Sequence, residues 1–513
     1  MARRGHQPPT LIGVDIGSTS VKAVLLAPGG GVVHVARRQT ITHPVRGGGA
    51  YHRPEDLLSA VEAVVAECAA AIGGRWPSRP TGIGIASMAE SGIPIDHRDR
   101  PVGQILAWHD PRPERQAAAI ERRIGAPGLF ARTGLRPEAK YTLPKLLWLR
   151  ERRAAEFTRL RRWAGVAELA ALDLTGSLGT NASLACRTLA FDVSARTWDA
   201  ELLELASLEP RHMPDVLPFG RPVGVLTEAA AVRLGLLAGT PVAIAGHDHV
   251  VATIGAGVVR PGEALDSMGS AEAVTLVTER PVLTEEVRKS GYSTGCHSVD
   301  DLAYVSGGLW SSGAVVEWFV DTFLSPSPPG ADRYAAFLEL MSQAGPGPAE
   351  PLVRPYLRGR AAPQRDPSTG LEMEGVREQH RLADLAAAAV DGAAYHVRWM
   401  LDELARITDR RLDRVRVSGG GTRNSRWVTA KAALGPGRLE VVRTEEAGAL
   451  GAALVGGIAA GVYGSIVEAL ADAAPFERVT ASAALRNRYG DMYLDRWLPA
   501  AVSRLRQDGL FWG

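Results

Sequence analysis

The sequence predicts an α/β protein built from two domains. Three observations carry that expectation. The chain has 513 residues, which at ~150 residues per domain is more than one ordinary domain holds. Its first folded stretch reads strand, strand, strand, helix, strand. A similar opening recurs near the midpoint, and the second half alternates strands with helices.

Residues 11–16 form a short apolar strand, 17–20 a turn, and 21–27 a second strand. Gly29-Gly30-Gly31 turns the chain into a third strand at 32–38. Adjacent strands joined by tight turns make an antiparallel meander. Pro54 sits near the start of a helix in which Leu57, Leu58, Val61, Val64 and Val65 recur at helical spacing. Residues 81–86 read as a buried strand. At the midpoint, 262–270 leads into the apolar run 273–277, and Gly269-Ser270 aligns with Gly17-Ser18. Downstream come a long helix at 383–404, a strand at 414–418 that runs into Gly419-Gly420-Gly421, a helix at 424–434, a strand at 439–442 and a helix at 445–460. Residues 448–465 are uncharged but mostly Gly and Ala. They are too weakly hydrophobic for a membrane span and are expected to pack closely against a sheet. Stretches 325–330 and 345–351 read as surface loops, and 358–375 as a long ordered loop.

Composition excludes several classes. Hydrophobic residues are 46% and charged residues 22%, as in a globular protein and unlike a disordered one. Fifty-eight basic residues against 56 acidic ones leave a net charge of +2. A dedicated nucleic-acid or membrane-surface binder needs a larger basic excess. Lysine occurs only at 22, 140, 145, 289 and 431, against 53 arginines, which reads as a coding bias. Cys68, Cys186 and Cys296 form no C-x-x-C pair, so no zinc or thioredoxin signature is present. The sparse cysteines, and an N-terminal stretch without a long apolar run, lead us to expect a cytoplasmic protein.

Four segments could carry chemistry. In Asp15-Ile16-Gly17-Ser18-Thr19-Ser20, a carboxylate ends a strand and a Gly/Ser/Thr turn comes next. The turn could cradle phosphate oxygens and the carboxylate could hold Mg²⁺; alternatively this is a hairpin capped by an Asp. In Gly246-His247-Asp248-His249, Asp248 could accept a proton from a substrate hydroxyl, or belong to a polar turn. The flanking histidines should point to opposite faces of an extended chain, which argues against a shared metal. The Gly419–Gly421 turn could approach a ring or phosphate, or be a plain turn. Glu90 could bind a polyhydroxy ligand or be a solvated loop carboxylate. Trp108-His109-Asp110-Pro111-Arg112 is either a sugar-contact set or a helix start capped by Asp110 with Trp108 in the core.

Together these segments resemble the FGGY family of carbohydrate kinases. The resemblance also takes in Tyr141-Thr142-Leu143-Pro144-Lys145-Leu146-Leu147-Trp148, Ser267-Met268-Gly269-Ser270, the stretch from Tyr304 through Gly313-Ala314 to Glu317-Trp318, and Glu446 to Ala453. It implies two ribonuclease-H/actin-like (ASKHA-type) domains with an active-site cleft between them: a sugar-binding domain at 1–246 and an ATP-binding domain at 247–513. The implied reaction moves the γ-phosphate of ATP to a hydroxyl of a sugar, polyol or cyclitol. Asp248 is then the general base. Glu90, Trp108, Asp110 and His249 join it in binding the acceptor. Ser18, Thr19, Gly269, Ser270, Gly313, Glu317, Gly419, Gly420 and Asn424 are the implied ATP contacts, and Asp15 the ligand of Mg²⁺. Neither nucleic acid nor membrane is an expected partner, and the oligomeric state is open, a homodimer among the alternatives. An actin-like ATPase or a sugar-responsive regulator is the rival reading. Three departures are visible. Met88-Ala89-Glu90 stands where glycerol kinases resemble Gln-Arg-Glu and xylulose kinases Gln-Met-His; His249 stands where relatives have Gln or Asn; and Gly359-Arg360-Ala361 stands where the family has Gly-Glu-Arg. The acceptor is therefore not named by the resemblance.

Overall fold

The computed structural model describes residues 9–72, 80–324, 333–444 and 446–507. The loop expected at 325–330, and Glu445 at the start of the last expected helix, lie outside the described residues.

The first lobe is built on strands β1 (Leu11–Ile16), β2 (Ser20–Ala27), β3 (Gly31–Gln39), β4 (Gly82–Ser87) and β5 (Pro241–His247). Their order in the sheet is β3-β2-β1-β4-β5. The first three form the expected antiparallel meander, and β4 and β5 extend it in parallel. The second lobe repeats the plan with β6 (Glu263–Met268), β7 (Glu272–Thr278), β8 (Ala303–Leu309), β9 (Arg414–Ser418) and β10 (Arg438–Val442), ordered β8-β7-β6-β9-β10. Again the β6-β7-β8 pairs are antiparallel and the β6-β9-β10 pairs parallel. The midpoint echo is thus a repeat of the whole sheet. In both lobes a glycine hairpin sits at the carboxyl end of the central strand: Gly17 N–H bonds the Ser20 carbonyl and Gly269 N–H the Ala271 carbonyl, each at 3.1 Å.

The helices that bear on the site and on the packing of the lobes are α1 (Pro54–Ala70), α2 (Thr142–Arg152), α3 (Asp248–Gly255), α4 (Gly313–Phe323), α5 (Leu382–Thr408), α6 (Ser425–Leu434) and α7 (Ala447–Ala459). Pro54 opens α1, where a missing N–H costs nothing, and Glu55 and Asp56 favour its first turn. Its apolar face, Leu57, Val61, Val64 and Val65, is buried against the first sheet.

The Gly/Ala-rich helix α7 decides how the lobes meet. A β-carbon on Gly84 would lie 1.8 Å from the Ala452 carbonyl oxygen, and one on Gly13 1.9 Å from that of Ala449. Across the helix, a β-carbon on Gly451 would lie 2.2 Å from the Val251 carbonyl oxygen. So α7, encoded in the second half of the chain, lies on the first lobe's sheet and against α3. One core cluster accordingly joins Leu11, Ala243 and Ala245 to Leu265, Val277 and Val442. Small residues here permit backbone approach. No described helix is long and apolar enough to cross a membrane.

Candidate active site

Strand β5 ends in a bulge. Its register with β4 slips between Ile244 and Gly246, and Gly246 has φ +129°. A β-carbon there would sit 2.2 Å from Ser183 Oγ and 2.4 Å from Ser298 Oγ, so only glycine fits. A bulge re-aims the residues after it. The chain passes directly into α3, with Asp248 as its first residue. Asp248 Oδ1 accepts the His249 backbone N–H at 2.7 Å and lies 3.1 Å from His247 Nε2. Here the extended-chain expectation fails. The helix begins at Asp248, so the rings of His247 and His249 come to one side and meet edge to face at 5.5 Å. No group of three metal-ligating side chains exists among the described residues. Burial alone would raise the Asp248 carboxyl, but His249 and His247 overcome it and hold it at about 2.

Asp15 is the penultimate residue of β1, and its Oδ1 is buried with no hydrogen-bond partner. Oδ2 faces the first turn of α7, 2.7 Å from where a β-carbon on Gly448 would be. Burial, and then the negative charge of Asp248, push the Asp15 carboxyl up to about 7; Lys22 opposes them. The two carboxylates therefore lie within each other's field. An orphaned carboxylate oxygen beside a second carboxylate has the donor chemistry of a Mg²⁺ site, which needs only one or two protein carboxylates.

A cavity of about 200 Å³ opens beside Asp248, lined by Ser18, Met88, Ala89, Glu90, Trp108, Lys140, Arg187, His247, Asp248 and His249; Asp15 lies behind this lining. Glu90 accepts two bonds from Arg187, from Nε at 2.8 Å and Nη2 at 2.6 Å. Arg187 in turn stacks over Tyr141. Trp108 is 38% exposed and is a wall of the cavity, not part of the core. Asp110 does not reach the cavity. It is 1% exposed, and both its oxygens are taken by the Arg112 guanidinium at 2.5–3.0 Å. It braces the Trp108 turn, and no helix starts on it. Two larger recesses, of about 490 and 530 Å³, open elsewhere. The charges lining the first are largely paired already, Arg288 with Glu285 and Arg406 with Glu403, and neither recess contains Asp15, Asp248 or Glu90.

On the second lobe the hairpin Gly269-Ser270 meets the start of α4. Gly313 N–H bonds the Gly269 carbonyl at 3.0 Å, and Ser270 Oγ donates to Glu317 at 2.8 Å. Gly419 has φ +94°, and a β-carbon on it would lie 2.7 Å from the Met268 carbonyl oxygen. The Gly419-Gly420 turn is therefore pressed against the end of β6. Asn424 stands apart: it is fully buried and caps α6 by accepting the Trp427 N–H. Thr19 is at the exposed tip of the first hairpin.

The profile for the FGGY family of carbohydrate kinases, N-terminal domain, matches residues 10–255, and that for the C-terminal domain matches 264–460. The chain belongs to the FGGY family of carbohydrate kinases. It is 26% identical to a gluconokinase of Bacillus subtilis over 461 residues, 88% of each chain. It is 27% identical to a glycerol kinase of Gloeobacter violaceus, across 91% of this chain and 92% of that one. The crystal structure of a "xyloylose kinase" from Brucella ovis superposes with a TM-score of 0.86 at 25% identity, over 97% of this chain and all of that one. This kinase has the two-lobed actin-like fold of such structures and phosphorylates a sugar or polyol at the expense of ATP.

Sequence reasoning missed three of the kinase's cavity residues, Lys140, Arg187 and His247. Arg187 left a signal, a single charge in the otherwise uncharged run 182–191. The loop at Gly359-Arg360-Ala361 has turned inward: Arg360 is 2% exposed, bonds the Gln364 carbonyl and stacks on Tyr356.

Proposed function

We propose that Asp248 is the general base of this kinase, that Asp15 holds the Mg²⁺ of MgATP, and that the 200 Å³ cavity takes the acceptor. The observation that carries the reading is that Asp15 lies in the field of Asp248, and that Asp248 lines the cavity together with Ser18 of the first glycine hairpin. At about 30 Å³ per water the cavity holds six or seven waters. That suits one small polyol or monosaccharide.

The acceptor lies against Trp108, with hydroxyls on Glu90, Arg187 and His249. Asp248 takes the proton of the hydroxyl whose oxygen attacks the γ-phosphorus, and ADP leaves. A carboxylate lowered to about 2 is ionised at neutral pH and is a weak base. It suits late proton transfer, once the forming P–O bond has made the hydroxyl acidic. Ser18 and the Gly269-Ser270 hairpin approach the phosphates from the two lobes, and the Gly419-Gly420 turn lies on the adenosine side. Mg²⁺, when bound, supplies charge neutralisation at the phosphate oxygens. The raised carboxyl of Asp15 supports such a role, since a cation would relieve the repulsion that raises it.

The test is a coupled ADP-release assay across gluconate, xylulose, glycerol and a set of cyclitols, and then the same assay on Asp248→Asn. The variant should melt like the parent and lose at least ~10²-fold in kcat. Near-normal turnover would remove Asp248 from this role.

A further inference from the structure

Glu90 is presented to the cavity by a strained turn. The Ser91 N–H bonds the Ala89 carbonyl at 2.7 Å, closing a three-residue turn around Glu90 at φ +64°. This rare left-handed form is costly for a residue with a side chain. It persists only where its surroundings hold it, and such strain gathers at functional sites.

What holds it is Lys145. This side chain lies in the first half of α2 and is 0% exposed. Its ammonium donates to the Glu90 carbonyl at 2.7 Å. Among the described residues that is its one hydrogen bond, and no carboxylate forms an ion pair with it. A buried ammonium with so little compensation is expensive. Burial indeed drives it down to about 7, against the pull of Glu90 and Asp110 and with the push of Lys140. His52 and His109 also feel its charge.

The five lysines point the same way. The chain's other basic residues are 53 arginines, and a lysine ammonium is more compact and more readily tuned than a guanidinium fork. Lys22 pairs with Glu446 beside Asp15. Lys140 lines the acceptor cavity. Lys431 joins Asp266 and Glu272 under the Gly269-Ser270 hairpin, at 2.5 Å each. Only Lys289 is remote from these parts.

We propose that Lys145 is a positioning residue of the acceptor site: by bonding the Glu90 carbonyl it holds the turn that sets the Glu90 carboxylate against Arg187 on the cavity wall, and so sets acceptor affinity without touching the acceptor. The inference rests on the cavity being the acceptor site. Lys145→Met and Lys145→Gln are compared with the parent, using whichever of gluconate, xylulose or glycerol the parent phosphorylates. Lys145→Met removes the donor; Lys145→Gln keeps a neutral donor and serves if the methionine variant does not fold. The acceptor KM should rise about tenfold in Lys145→Met and less in Lys145→Gln, as expected for a displaced binding group. The KM for ATP should stay within twofold, and the acceptor-induced rise in Tm should shrink in the same order. A purely structural lysine would lower the active fraction and leave both KM values alone. Unchanged acceptor KM in a folded variant, or acceptor and ATP KM rising together, overturns the proposal. Glu90→Gln separates the two readings. If it raises the acceptor KM while the Lys145 variants do not, only the lysine inference falls; if it also leaves that KM unchanged, the cavity assignment falls too.

Discussion

At Gly246 the conformation and the space both forbid a side chain. The bulge it makes turns β5 into α3 at Asp248. Gly246→Ala should therefore do two things at once: lower Tm by several degrees and, if Asp248 is the base as proposed, depress kcat, because the added methyl must displace Ser183 or Ser298 and swing the Asp248 carboxylate. A variant with parental Tm and kcat would show that the bulge relaxes freely. Asp110 makes the opposite case. Its chemistry looked like sugar recognition, yet its oxygens are spent on Arg112, which also stacks on Trp148 at 4.5 Å. Asp110→Ala leaves a mostly buried guanidinium without its partner, at a cost of about 3 kcal/mol. Thermal melting should register that loss while the acceptor KM moves less than ~3-fold; a large KM change with unaltered melting would return Asp110 to the binding set.

Elements were the most legible level. Strand and helix types came from apolar period and glycine punctuation, and the hairpins fell where Gly17-Ser18 and Gly269-Ser270 put them. Helix α7 is the instructive one. Its composition announced close packing, but not that its partner sheet would be in the other half of the chain. Gly84 and Gly370 test this packing as a pair. A methyl on Gly84 meets the Ala452 carbonyl oxygen at 1.8 Å, whereas one on Gly370 meets nothing within 4 Å and its φ is not left-handed. Gly84→Ala should abolish cooperative unfolding or cost more than ~4 kcal/mol, the range of severe core damage. Gly370→Ala should be neutral or stabilise by up to ~1 kcal/mol, through a less flexible unfolded chain. Denaturant melts of the two variants decide it, and similar behaviour would contradict the packing of α7 on the first sheet.

Across the whole molecule two buried imidazoles tie pieces together. His297 Nδ1 accepts the Val299 N–H, so its Nε2–H donates to Thr253 of α3 at 2.8 Å. His396 Nε2–H donates to the Ala362 carbonyl at 2.8 Å, leaving Nδ1 to accept from Tyr356. Burial lowers each to about 3. An unfolded imidazole binds its proton near 6.5, so between 6.5 and 3 the unfolded state holds more protons than the native one. Stability is then undiminished above pH 6.5 and falls as pH drops through that window. Tm measured between pH 6.5 and 5, above most carboxylate titrations, should decline, and His297→Asn should flatten part of the slope. An identical slope in that variant would sink the assignment.

Local and periodic features were legible in the chain alone: two α/β halves, the meander and its repeat, the glycine hairpins, and carboxylates at strand ends. Those arise between neighbours in the chain, where spacing and turn chemistry act directly. It took the packed molecule to show that Asp15 and Asp248 share one electrostatic field, that Arg187 and Lys140 line the cavity beside Asp248, that the side-chain oxygens of Asp110 and Asn424 are engaged by Arg112 and Trp427, and that Lys145 stands under Glu90. The first, second and last of these bring together residues from distant segments, and no periodicity in a single stretch of sequence encodes which distant side chain will arrive opposite; Asp110 and Asn424 bond close neighbours in the chain, but only the packed molecule shows their oxygens already taken.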